Sequence, residues 1–81
     1  MSPKHYAQGI NVQQGRAEFN NSKLMKIYYS LTFAQKPLVK VNAEETENLP
    51  KYRLWVYRNC FYIRFQTPYT GVMVWEASLW V

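Results

Sequence analysis

From Met25 onward, apolar residues recur at every second position, and no segment of the chain repeats them convincingly at the helical spacing of 3.6. Ile27, Tyr29, Leu31 and Phe33 share one face of such a stretch, with Lys26, Tyr28, Ser30 and Thr32 on the other. Lys36-Pro37 interrupts it, and Leu38–Asn42 resumes with Val39 and Val41 on one side. A proline at the opening of a strand is tolerated, because no ladder donor is lost there. Tyr52–Arg58 and Cys60–Gln66 stand at hairpin spacing, separated by Asn59 or by Arg58-Asn59. Leu54 and Val56 then oppose Arg53, Trp55 and Tyr57, while Phe61, Ile63 and Phe65 oppose Tyr62, Arg64 and Gln66. Thr67–Gly71 reads as a turn, and Val72–Val81 as a last strand with Met73, Trp75, Ala77 and Leu79 on one face. Strands in succession with no helix between them predict an all-β sandwich. Phe33, Val41, Phe61, Ile63 and Trp75 are its expected core.

Residues 1–24 differ in composition. They are polar, rich in Gln and Asn, and hold Gly9 and Gly15. They read as an extended arm, with pieces at Gly9–Val12 and Arg16–Phe19 joined by the turn formers Gln14-Gly15 and Asn20-Asn21-Ser22. The β domain is then residues 25–81. Ala43–Pro50, with Glu44, Glu45 and Glu47, reads as a solvated loop. A chain of 81 residues buries only about 60% of its unfolded surface, so partners are expected to contribute to its stability.

The residue inventory removes most chemistry. A lone Cys60 forms no internal disulfide and no cysteine zinc site, and a lone His5 has no partner for a triad. There is no Asp, no Gly-rich phosphate loop and no His/Cys/Asp cluster, so neither an enzyme nor a cofactor or metal site is expected. Glu44, Glu45 and Glu47 lie close in sequence, but a mobile acidic loop cannot shift a pKa as a general acid needs. No run approaches the roughly 18 apolar residues of a membrane span, and the N-terminus lacks a signal-peptide core. Net charge is +5, which favours polyanions without specifying one.

Against that background the hairpin stands out. With its outer face exposed, Arg53, Trp55, Tyr57, Tyr62 and Arg64 share one surface. Rings and arginines on a sheet form a stacking platform for single-stranded nucleic acid. The same rings can lie on the apolar face of a sugar, with polar side chains bonding its hydroxyls. Arg58–Phe65 alternates basic and aromatic residues as an RNA-recognition-motif strand does. Cys60 and Tyr62 stand where that motif has glycine-type positions, and its helices are missing.

The order of features from Lys26 on resembles the C-terminal domains of bacteriophage tail fibres and the related H-type lectins. The features are Leu31-Thr32-Phe33, then Pro37-Leu38-Val39-Lys40-Val41, then Leu54-Trp55-Val56 and Arg58–Ile63, and last Tyr69-Thr70-Gly71 and Trp75-Glu76-Ala77. The resemblance covers residues 26–81, with Cys60 at the family's glycine. It implies a six-stranded antiparallel β-sandwich that assembles as a homotrimer and binds a host surface receptor or carbohydrate. It also implies a place in the virion, in a tail fibre or other appendage assembled in the host cytoplasm beside other virion proteins. Glu76 matches a position that contacts sugar in the lectins, Arg53 a contacting arginine, and Gly15 lies in a region of further contacts. With Trp55, Tyr57 and Arg64 from the hairpin, these are the expected ligand-binding residues. A chain starting at Met1 fits a small standalone virion protein or a fibre tip. A structural virion protein (a decoration or connector) without sugar binding is the alternative, and a single-stranded nucleic-acid binder the second.

Overall fold

The computed structural model describes residues 10–45 and 48–80. The expectations for His5, Gly9, Glu47 and Val81 fall outside these residues. The fold is all-β and antiparallel, built from four strands: β1 (Ile10–Tyr28), β2 (Leu38–Ala43), β3 (Tyr52–Val56) and β4 (Cys60–Trp80). β4 is central. β1 pairs with it along one side from Ile10↔Trp80 to Tyr28↔Cys60. On the other side, β2 pairs with its C-terminal half and β3 with its N-terminal half.

The long strands bend. At about 3.3 Å per residue a straight β4 would span roughly 70 Å, yet the longest dimension of the molecule is 45 Å. Phe61 and Trp75 both belong to β4 and would lie roughly 46 Å apart in a straight strand. Their ring centroids are 5.5 Å apart. The bend falls where the register of β1 with β4 shifts, between Phe19↔Gly71, Ser22↔Tyr69 and Leu24↔Arg64. Between the last two pairs, β4 carries the surplus residues as a bulge that includes Pro68, whose missing N–H costs nothing there. Across from it, Asn21 takes a left-handed φ of 53° and its N–H donates to Thr70 Oγ1 at 2.8 Å.

The continuous strands correct four sequence expectations. Thr67–Gly71 does not end a strand, and Asn20-Asn21-Ser22 does not separate two short pieces. Both lie inside continuous strands, because turn-forming residues at the same level of both partners bend a ladder rather than terminate it. β1 also runs through the boundary drawn between residues 24 and 25, and Phe19 is buried in the core. Ile10–Leu24 is therefore sheet, paired with β4, rather than an appended arm. Gly15 likewise sits within β1 and not in a turn.

Alternation holds through the bend. Phe61, Ile63 and Phe65 from one half of β4 and Met73, Trp75 and Ala77 from the other are buried together with Phe19, Ile27, Val39 and Val41. Tyr29 stacks on Phe61 at 5.9 Å and meets Phe33 edge-on at 4.9 Å. All five expected core residues are buried. Leu31, expected beside them, is 72% exposed. The reason is local: β1 ends at Tyr28, and Gln13 holds the Leu31 backbone from both sides. Gln13 Nε2 donates to the Leu31 carbonyl at 2.8 Å, and the Leu31 N–H donates to Gln13 Oε1 at 3.0 Å. Phe33 then returns to the core, its N–H donating to the Arg58 carbonyl and its carbonyl accepting from Arg58 Nε. The hairpin closes at Arg58-Asn59, with the Tyr57 N–H donating to the Cys60 carbonyl at 2.9 Å.

Candidate functional site

Register places the hairpin's outward residues in rows that extend onto β1. Arg53, Arg64 and Leu24 form one row; Trp55, Tyr62 and Lys26 form the next. Tyr28 and Tyr57 flank the hairpin end, beside the buried Cys60. This is the outer face of one half of the bent sheet. Leu24, Tyr28, Trp55 and Tyr57 are all exposed on it. Free-standing apolar rings grouped on one surface mark a contact site more often than scattered ones do.

The rings are not equally free. The Lys26 ammonium lies 4.6 Å from the Tyr28 ring centroid and 5.5 Å from that of Tyr62. Hydrogen bonding to Tyr28 first and Tyr62 second raises the Lys26 pKa above the ordinary lysine value. Tyr57 meets Tyr62 edge-on at 6.0 Å. Tyr62 is thus occupied by its neighbours, whereas Trp55 remains open at the other margin; Tyr52, on the opposite phase of β3, meets Phe65 edge-on at 6.3 Å. There an open groove of about 510 Å³ is lined by Lys23, Lys51, Arg53 and Arg64 with Tyr52 and Trp55. Among the described residues no carboxylate lines it.

The predicted site residues divide between two places. Arg53, Trp55 and Arg64 line this groove, with Tyr57 further along the same face. Glu76 and Gly15 belong to the other half of the sheet, at a second open groove of about 450 Å³ with Gln14, Arg16, Lys40 and Asn42. Glu76 stands in register between Gln14 and Lys40. Gly15 faces inward: a Cβ there would lie 2.6 Å from Cζ2 of the Trp75 indole, so the glycine makes room for that ring. The six residues do not form one site.

Lys23, Lys26, Tyr28 and Lys51 belong to the hairpin face and were not among the expected site residues. Lys26 and Tyr28 had the outward phase of their strand, which was a usable signal. What the sequence lacked was the pairing of β1 with β4 that brings them beside Tyr62. Among the described residues no group of three or more His, Cys, Asp or Glu could hold a metal ion. No helix among the described residues is long and apolar enough to cross a membrane. Comparison with known families, with curated proteins and with solved structures finds no match.

Proposed function

We propose that this chain is a receptor-recognition domain of the phage tail-fibre type, which binds host-surface carbohydrate through the outer face of its hairpin half. The observation that carries the reading is the grouping of exposed Trp55 and Tyr57 with Arg53 and Arg64 on one sheet face. An open indole offers the apolar surface that a pyranose face requires, and the adjacent guanidinium groups offer donors for its oxygens. The bends in β1 and β4 divide them into segments that, with β2 and β3, make six strand segments, in keeping with a six-stranded sandwich. Homotrimerisation would cover exposed apolar side chains such as Leu24 and Tyr28 and add stability to a small core. In this reading the protein acts in the virion, after assembly in the host cytoplasm.

Glycan-array binding of the purified chain, repeated with Trp55→Ala, tests the proposal. Binding that is lost in the variant while the oligomer persists supports it. Loss of the oligomer would instead assign Trp55 to a subunit interface, as a structural virion protein predicts. A second reading, single-stranded nucleic-acid binding, is favoured by the run of cations at the groove.

A further inference from the structure

Charge is segregated along the bent sheet. Among the described residues, the hairpin half, with its turn and its part of β1, carries Lys23, Lys26, Lys51, Arg53, Arg58 and Arg64 and no acidic residue. The described carboxylates Glu18, Glu44, Glu45 and Glu76 all belong to the other half or to the loop leaving it, where Glu44 pairs with Arg16 at 2.8 Å. Among the described residues this is the ion pair present, and it lies away from the groove.

Arg53 and Arg64 are directly opposite in the β3–β4 register. Like charges directly opposed across a ladder destabilise a sheet, and exposed strands ordinarily avoid them or offset them with a nearby acid. Here Lys23 and Lys51 add to the same charge instead. A local rule broken on a surface, without compensation among the described residues, is expected where a ligand supplies the missing partner. The ligand is therefore anionic, and guanidinium pairs recognise carboxylate and sulfate oxygens in a bidentate manner.

The rings narrow the class further. A run of stacked bases needs successive free ring faces. Across this face Tyr62 is engaged by Lys26 and Tyr57, and Tyr52 is engaged edge-on by Phe65 at the groove's margin, which leaves Trp55 as the open ring beside the cations. An open ring bordered by four cations matches a sugar unit that presents one apolar face and carries an acid. We propose that the groove between β3, β4 and Lys23 binds an acidic polysaccharide, bearing carboxylate or sulfate groups along its chain, and discriminates against neutral glycans. This rests on the carbohydrate reading above and specifies its ligand.

The test is a titration of the full chain with alginate, heparin, dextran and oligothymidylate, at low and at raised salt. The variants are Arg53→Glu and Glu76→Gln. Alginate or heparin is expected to bind, with affinity falling steeply as salt rises, while dextran does not bind. Arg53→Glu is expected to lower that affinity by about tenfold or more. The same change places an acid opposite Arg64, so the melting temperature should rise, which separates lost binding from lost folding. Loss of binding in Glu76→Gln, in the other groove, with binding kept in Arg53→Glu, would move the site to that groove and overturn this one. Equal binding of dextran overturns the acidic class but keeps the carbohydrate reading. Binding of oligothymidylate alone overturns both, as does binding of none of the four. Undiminished binding by Arg53→Glu overturns the groove as the site.

Discussion

At the position facing Trp75, a Cβ on Gly15 would approach the indole to 2.6 Å, and the same ring is in contact with Tyr29 and Phe61. The indole cannot simply withdraw. Gly15→Ala is expected to cost about 1–3 kcal/mol in a urea titration, as overpacking does. Were Gly15 a ligand contact instead, the variant would keep its stability and lose binding. Tyr29 presents the converse case. Its ring is buried among Phe33, Phe61 and Trp75, but its hydroxyl has no hydrogen-bond partner among the described residues. Tyr29→Phe should therefore be neutral or stabilise the fold by about 1 kcal/mol. Burial, with a smaller contribution from Cys60, pushes the phenol up to about 12. A group with a higher pKa in the folded state binds more protons there, so its contribution is intact below the ordinary value near 10. It is lost as pH rises through about 12. The stability gap between the phenylalanine variant and the parent should widen across that window, and a constant gap would contradict the assignment.

At the scale of the strand, the bend depends on a few residues with special backbone or donor properties. Asn21 holds φ at 53°, a region that asparagine visits readily and β-branched residues avoid. Asn21→Val is expected to cost about 1–2 kcal/mol by chemical denaturation, and Asn21→Gly to be close to neutral. Equal losses in both would show that the side chain matters rather than the backbone. Reading turn formers as chain reversals was reasonable strand by strand. It failed because both partners of one ladder carry their irregularities at the same level, so pairing resumes beyond them. Alternation, by contrast, was legible residue by residue: Phe61, Ile63, Phe65, Met73, Trp75 and Ala77 keep one face through the bulge.

For the molecule as a whole, an aromatic core of this size leaves several large apolar side chains on the surface, among them Leu24, Tyr28 and Trp55. The tail-fibre reading expects a light-scattering mass near three times 9.7 kDa, independent of concentration. A monomer at every concentration would remove the assembly part of that proposal and leave the cationic groove as the surface to pursue. Trp55→Ala, at an exposed position, is expected to change stability by no more than about 0.5 kcal/mol. A larger loss would place the indole in a subunit contact.

Period-two alternation, a physical consequence of the pleat, was enough to read from the sequence that this protein is all-β and that Phe33, Val41, Phe61, Ile63 and Trp75 face inward; it misplaced Leu31 and left the hairpin turn open between Asn59 and Arg58-Asn59. The outward phase of Arg53, Trp55, Tyr57 and Arg64 was available in the same way. Which strands lie beside which is a matter of long-range register, and local spacing does not encode it. Only the tertiary structure therefore joined residues 10–28 to β4 and set Lys26 between Tyr28 and Tyr62. It also opposed Arg53 to Arg64 and carried Glu76 and Gly15 to a different half of the sheet, because one continuous strand bends back over its own core.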